Sequence, residues 1–138
     1  MIVLDTNVLS EPLRPMPEPR VVEWLADHRG EVAITAVTIG ELLYGVNRLA
    51  PGRWRDSLVS GVASMAAGAG GRVLAYDHGA AAEYARLRAA REARGRVVSV
   101  EDTMIAAICL VGGHALATRN ARDFDDTGLV LYNPWDGS

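Results

Sequence analysis

Short runs of apolar, strand-forming residues alternate along the chain with longer segments in which apolar residues recur every three or four positions. The short runs predict five strands, over Ile2–Leu4, Val32–Ile34, Arg72–Leu74, Ala115–Ala117 and Leu129–Leu131. The longer segments predict helices, with a short helical turn last, over Arg20–His28, Thr38–Leu49, Trp54–Ala67, Gly79–Arg94, Glu101–Val111 and Asn120–Phe124. Such alternation predicts an α/β/α sandwich with a central parallel sheet.

Three breaks interrupt this alternation, and none is long enough to separate two domains. They are the proline-rich segment Glu11–Pro19, which we interpret as a connecting loop or interrupted helix, the Pro51-Gly52 pair, and Gly68–Gly71. With 138 residues, of which 49% are hydrophobic, the chain is long enough for one well-packed core and short for two. We therefore expect a single domain over residues 1–138.

Composition excludes several classes of protein. The chain has no run of 18 or more apolar residues, and its first ten residues lack the basic start and cleavage site of a signal peptide, so we expect a cytoplasmic protein with no membrane partner. Cys109 is the single cysteine, which excludes an intramolecular disulfide and a cysteine-rich zinc site. The net charge of −3 argues against a broad basic surface, so any contact with phosphate should be local.

The first predicted strand stops on a carboxylate, Asp5, which is followed at once by Thr6 and Asn7, both of residue types favoured at helix starts. In an open parallel sheet, ligands bind outside the carboxyl ends of the strands. A carboxylate at this point therefore faces the crevice where chemistry usually occurs. Asp5 is the best single candidate for a functional residue, and its importance depends on whether other carboxylates join it.

Glu41 and Asp102 each have a structural and a functional interpretation. Ser99 to Asp102 has the spacing of a capping box, but Asp102 also heads the apolar stripe that should pack on the sheet, where a charge needs a partner. Thr38 to Glu41 has the same capping spacing, and the apolar stripe of that helix points away from Glu41. A functional Glu41 is favoured by its place shortly after the second strand, at the same sheet edge as Asp5.

A fourth carboxylate, Asp123, follows the strand Ala115–Ala117 and is locally as well suited to a cap or turn as to a ligand, whereas Asp125 and Asp126 are typical of a turn. Four carboxylates at one edge would repel each other unless cations neutralised them. Oxygen ligands suit Mg²⁺, with Mn²⁺ as a second candidate. Such ions can activate water and stabilise the leaving oxygen in phosphodiester cleavage, so the pattern favours a metal-dependent nuclease.

Arginine supplies all 14 basic side chains of the chain, and two of them flank the expected acidic site. These two, Arg119 and Arg122, are our candidates for contacts with substrate phosphates, because the guanidinium fork pairs with phosphate oxygens. Glu83 and Glu92 are interspersed among a second group of arginines on one helix and its end. We interpret that group as a solvated helix face with an i, i+4 ion pair, and it comprises Arg86, Arg88, Arg91, Arg94 and Arg96.

Four ordered segments resemble the PIN domain family, and within it the VapC toxins of bacterial toxin–antitoxin pairs. They are Ile2-Val3-Leu4-Asp5-Thr6-Asn7, Thr38-Ile39-Gly40-Glu41-Leu42, Glu101-Asp102-Thr103-Met104-Ile105-Ala106-Ala107 and Thr118-Arg119-Asn120-Ala121-Arg122-Asp123-Phe124. Two further segments resemble the FitB-like branch, namely Ser10-Glu11-Pro12-Leu13-Arg14-Pro15 and Asn133-Pro134-Trp135. The resemblance implies a Mg²⁺-dependent endoribonuclease, inhibited by a cognate VapB-type antitoxin whose other end binds DNA, and homodimers are common in the family.

The resemblance also implies roles for individual residues. The family's three principal acidic positions, which would bind metal, are matched by Asp5, Glu41 and Asp102. Asp123 matches a fourth ligand, and the alternative for this place is Asn120, where some relatives carry an aspartate. Three further residues match positions that orient the carboxylates by hydrogen bonding rather than bind metal, and they are Thr6, Asn7 and Thr118.

Two other functions stay open on the sequence alone. One is a non-catalytic partner module that keeps the fold and reaches DNA only through its antitoxin in a repressor complex. The other is a DNA-directed metal nuclease, since the chain has no obvious set of base-stacking aromatic residues that would separate RNA from DNA as the substrate.

Overall fold

The computed structural model describes residues 1–68 and 72–137. Its strands are β1 (Ile2–Leu4), β2 (Val32–Thr35), β3 (Val73–Leu74), β4 (Ala115–Ala117) and β5 (Leu131–Tyr132). Its helices are α1 (Thr6–Ser10), α2 (Pro19–Asp27), α3 (Ala36–Asn47), α4 (Arg53–Gly68), α5 (His78–Ala93) and α6 (Val100–Gly112), and two 3₁₀ turns cover Glu11–Leu13 and Ala121–Phe124. In these ranges no helix is both long and apolar enough to cross a membrane.

The five strands form one parallel sheet in the order β3-β2-β1-β4-β5. The chain builds outward from β1 in one direction and then returns to place β4 on its other side. The boundary between β1 and β4 is therefore a topological switch point, where α/β sheets open a crevice at the carboxyl ends of their strands. Leu4 of β1 pairs with Ala117 of β4, so Asp5 and Thr118 are the first residues beyond the sheet on either side of this boundary.

Helices cover both faces of the sheet, as the alternation of elements predicted. On one face, Ile2, Leu4 and Ile34 pack with apolar residues of the first four helices. On the other face, a second core forms around side chains from strands, α5, α6 and the second 3₁₀ turn, including Val3, Ala33, Leu87, Ile105, Leu116 and Phe124. Side chains that alternate along a strand thus point into two separate cores. The predicted α/β/α sandwich with a central parallel sheet is confirmed.

Most predicted elements are present, and the differences lie at their ends. The strand predicted over Leu129–Leu131 begins only at Leu131. Helix α1 was not predicted as an element, because five residues are too short to show a helical period, although its start was indicated by the residue types after Asp5. The proline-rich segment contains a 3₁₀ turn and then the start of α2 at Pro19, where the missing amide hydrogen of proline costs nothing. The predicted break at Gly68–Gly71 lies mostly outside the described residues.

Helix α6 places its first turn at the carboxyl edge of the sheet. Ser99 caps it by accepting a hydrogen bond from the backbone amide of Asp102 at 3.1 Å. Gly113 ends it with a left-handed backbone, at φ 69°, a conformation that glycine adopts without steric cost. Between these ends the predicted stripe is buried against the sheet, since Ile105, Ala106 and Cys109 are all fully inaccessible to solvent.

Candidate active site

Asp5 is held rigidly at the end of β1, with both carboxylate oxygens engaged. Its Oδ1 accepts a hydrogen bond from the backbone amide of Thr6 at 2.8 Å, which caps α1. Its Oδ2 accepts a hydrogen bond of 2.7 Å from the hydroxyl of Thr118, which follows β4. Only 4% of the residue is exposed. The sheet therefore fixes this carboxylate at the switch point between β1 and β4.

Glu41 lies beside Asp5 because the two share Thr6 as a neighbour. The Thr6 hydroxyl donates to Glu41 Oε1 at 2.9 Å, while the Thr6 amide binds Asp5. The predicted capping box from Thr38 to Glu41 is wrong. Thr35, the last residue of β2, caps α3 instead, and it accepts a hydrogen bond from the Thr38 amide at 3.0 Å. The helix thus starts two residues earlier than predicted, which places Glu41 one turn inside it, with its carboxylate free of capping.

Asp123 and Asn120 make different contributions to the site. Asp123 is half-buried in the 3₁₀ turn after β4, and its charge raises the pKa of both Asp5 and Asp102. Asn120 is exposed, and its backbone amide donates to the Thr118 hydroxyl at 3.0 Å. Of the two candidates for the fourth position, only Asp123 therefore brings negative charge to the other carboxylates.

The pKa values of three of these carboxylates are raised by burial and by neighbouring negative charge. Burial raises the pKa of Asp5, hydrogen bonds to its oxygens lower it, and the charge of Asp123 raises it further. Burial also raises the pKa of Glu41, and the charges of Asp5 and Glu101 add to this increase. Burial raises the pKa of Asp102 to about 6, and the charges of Asp5, Asp123 and Glu41 contribute in the same direction. Each carboxylate thus lies within electrostatic range of at least two others.

This donor set fits a hard divalent cation that keeps part of its water shell. It consists of carboxylate oxygens, which Mg²⁺ and Mn²⁺ prefer, and its mutual repulsion is relieved by positive charge. In residues 1–68 and 72–137, no group of three acidic, histidine or cysteine side chains is placed so that it could hold a metal ion. A site for Mg²⁺ does not require one, because this ion is commonly held by one or two carboxylates together with water and substrate phosphate.

The predicted supporting residues connect the segments that carry the acidic groups. Thr118 uses its hydroxyl both to donate to Asp5 and to accept from the Asn120 amide, so its proton is directed at the carboxylate. Asn7 accepts a hydrogen bond from the backbone amide of Arg119 at 3.3 Å through its side-chain oxygen. These contacts tie α1 to the segment after β4. They fix the backbone around Asp5 from both sides of the switch point.

Arg119 and Arg122 line an open groove of about 720 Å³ that also contains Asp123 and Asn133. Both arginines are exposed. The Arg119 guanidinium lies 4.9 Å from the centroid of the Trp135 ring, a cation–π contact that orients it without neutralising its charge. Positive side chains therefore lie beside Asp123 in a groove open to solvent, which suits an extended anionic substrate.

The interpretation of the α5 arginines as a solvated face is wrong for one of them. Arg88 pairs with Glu92 on the exposed surface as predicted, but Arg91 is only 2% exposed. Arg91 forms an ion pair with Asp126, which lies in a turn as predicted but has a largely buried side chain. Arg91 stands one turn after the buried Leu87, and this spacing is the one signal in the sequence that could have placed it on the inner face.

The chain is similar in sequence to known proteins along nearly its whole length. Residues 2–129 match the model of the PIN domain. The chain is 38% identical over 137 residues to toxin FitB of Neisseria gonorrhoeae, covering 98% of this chain and 99% of that protein. It is 35% identical over 138 residues to VapC ribonuclease Y4jK of Sinorhizobium fredii, covering 99% of each.

Solved structures give the same result for the fold. A chain in the structure of FitAB bound to the IR36 DNA fragment superposes with a TM-score of 0.90 and 36% sequence identity, and the match covers 98% of this chain and 96% of that one. The four ordered acidic segments predicted the family that these matches identify. The chain belongs to the PIN domain family.

Proposed function

We propose that the chain is a Mg²⁺-dependent endoribonuclease toxin of a VapBC-type toxin–antitoxin system. The observation that carries the proposal is the group of four carboxylates at the switch point, whose oxygens suit a divalent cation. Neighbouring charges from this group raise the pKa of Asp5, Glu41 and Asp102. The similarity to proteins named as a toxin and as a ribonuclease supports the choice of reaction and substrate.

In this proposal the acidic residues hold Mg²⁺, or Mn²⁺ in its place, and they are Asp5, Glu41, Asp102 and Asp123. An ion bound there would activate water and would stabilise charge on the leaving oxygen of a phosphodiester. Thr118 and Thr6 keep Asp5 and Glu41 in fixed orientations by hydrogen bonding. The Arg119 and Arg122 side chains bind the phosphates on either side of the scissile bond, which places that bond over the acidic group.

We expect Arg119→Gln and Arg122→Gln each to weaken RNA binding and to lower its dependence on salt. Each phosphate contact that is lost should reduce the slope of log affinity against log salt by about 0.7 for single strands. The measurement is fluorescence anisotropy of a labelled RNA over a range of salt concentrations. Arg55→Gln is a matched control, because Arg55 lies on α4 and its side chain binds Asn47 on the far end of α3. An unchanged salt slope in both groove variants would contradict their assignment.

The proposed partner is a cognate VapB-type antitoxin, with DNA reached only through it. The comparison structure in which FitAB is bound to a DNA fragment supports this arrangement. Expression of the chain alone should arrest bacterial growth, and co-expression of the small antitoxin gene beside it should relieve the arrest. A growth arrest that the Glu41→Gln variant also causes would show that toxicity does not depend on the acidic site.

The direct test is cleavage of total RNA and of single-stranded DNA by the purified chain. We expect RNA cleavage with Mg²⁺ or Mn²⁺, none with excess chelator, and none from Glu41→Gln purified in the same way, which controls for contaminating nucleases. Cleavage of DNA in preference to RNA would favour a DNA-directed nuclease. If the folded chain cut neither, a non-catalytic partner module would be the better description.

A further inference from the structure

Arg91 is the most completely bound charged side chain away from the acidic group itself. Its Nε and Nη2 donate to the two carboxylate oxygens of Asp126, each at 3.0 Å, in a bidentate pair. Its Nη1 donates to the Thr103 hydroxyl at 2.9 Å, and its Nη2 also donates to the backbone carbonyl of Asp123 at 2.8 Å. A lysine could not reproduce this planar fork, because its ammonium is a single point of charge.

These contacts join the two segments that carry half of the acidic group. Thr103 is the residue after Asp102 in the first turn of α6, and its hydroxyl also donates to the carbonyl of Ser99, the cap of that helix. Asp123 contributes its own backbone carbonyl. Arg91 thus binds the side chain of Thr103, the residue next to Asp102, and the backbone carbonyl of Asp123, while its other hydrogen bonds go to Asp126.

We propose that Arg91 is a positioning residue of the acidic site, which sets the distance between the Asp102 and Asp123 carboxylates by bonding to both of their segments. The inference rests on the proposed function, because it assigns to Arg91 an effect on cation binding. Asp126 pairs with the guanidinium and cancels its charge, so that a cation can bind nearby without facing an unpaired arginine.

Positioning and simple charge repulsion make opposite predictions here. A positive arginine near a cation site disfavours binding by Coulomb repulsion, so its removal alone should strengthen the binding of a divalent ion. Loss of positioning should weaken it, because outer residues that orient metal ligands typically contribute 10–100-fold to affinity. The direction of the change therefore separates the two effects.

A charge-neutral double variant, Arg91→Leu with Asp126→Leu, tests the inference on the full chain. Replacing a buried ion pair by apolar residues of similar size commonly leaves a protein folded, whereas removing one partner does not. We would measure Mn²⁺ binding from the electron paramagnetic resonance signal of the free ion, after circular dichroism has shown the variant to be folded. We expect the affinity for Mn²⁺ to fall by about tenfold or more.

Two further variants complete the experiment. Arg94→Leu is the matched control, because Arg94 also binds Asp126, at 2.9 Å, but is exposed and reaches neither acidic segment. Its Mn²⁺ affinity should equal or exceed that of the wild type. If the double variant fails to fold, Arg91→Lys takes its place, since it keeps the charge but not the fork, and it should also bind Mn²⁺ more weakly.

The outcomes distinguish this inference from the function on which it rests. A folded Arg91 variant whose affinity for Mn²⁺ is within about threefold of the wild type overturns the positioning role and leaves the nuclease proposal intact. A purely structural Arg91 would give this result, with a lower melting temperature and normal binding. A wild-type chain that binds no Mn²⁺ overturns both.

Discussion

Replacing Asp5 by asparagine should reduce Mg²⁺-dependent RNA cleavage by at least about 100-fold, more than the loss expected for a residue that only orients a metal ligand. Asparagine keeps the shape of the side chain but removes its charge. It also presents an amide group where both carboxylate oxygens of Asp5 now accept hydrogen bonds, from the Thr6 amide and the Thr118 hydroxyl. The variant thus loses both the charge and part of the arrangement that fixes it.

Initial rates on a short labelled RNA, at several Mg²⁺ concentrations, give the measurement. Asp125→Asn is the control. Asp125 is an exposed carboxylate in the turn after Asp123, and it pairs with Arg96 rather than with the acidic group. We expect its rate to stay close to that of the wild type. An Asp5→Asn variant that cleaves within a few-fold of the wild type would remove Asp5 from the catalytic site.

The second large effect is on the stability of the metal-free chain, and it concerns Asp102. Loss of this carboxylate should raise stability, whereas loss of a carboxylate of the acidic group should lower activity. Because the pKa of Asp102 is raised from 3.8 to about 6 in the folded chain, the fold binds this proton more tightly than the unfolded chain does. The contribution of Asp102 to stability is therefore fully present below about pH 4 and is lost as the pH rises through about 6. At neutral pH the metal-free chain carries a buried charge that opposes folding.

We therefore expect Asp102→Asn to stabilise the metal-free chain at pH 7.5 by about 1 to 2 kcal/mol, because solvent screens this partly exposed charge, and to have little effect at pH 4. Urea unfolding of both proteins at a series of pH values, with chelator present, gives the comparison. Saturating Mg²⁺ should reverse the order, because an ion that binds only the folded wild type stabilises it by mass action. Equal stability of the two proteins at every pH would contradict the raised pKa.

The fold could be predicted well from the sequence. Its short apolar runs correspond to strands, and its segments with apolar residues every three or four positions correspond to helices. Three-residue apolar runs such as Ile2–Leu4 are strands with both faces buried, and the stripe through Ile105 and Cys109 packs on the sheet. The position of Asp5 at the end of β1 could be predicted because the apolar run Ile2–Leu4 stops at this charged residue. The parallel arrangement then put the other carboxylates at the same edge.

Side-chain partners that depend on tertiary contacts could not be predicted in this way. A threonine hydroxyl does cap α3, but the prediction chose the wrong threonine. Thr35, three residues before Thr38 and at the end of a strand, provides the cap. Arg91 and Asp126 are 35 residues apart and each has ordinary neighbours in the sequence. Only the packing of α5 against the turn after β4 brings them together and removes them from water.

The strand order also decides when, during synthesis of the chain, its acidic group can be completed. The Asp5 carboxylate accepts a hydrogen bond from Thr118, which is synthesised 113 residues later, and Asp123 is synthesised after Thr118. A nascent chain therefore lacks β4 as the neighbour of its first strand until residues 115–117 have been synthesised. The acidic group cannot be complete before β4 and the turn after it have been made and β4 has paired with β1.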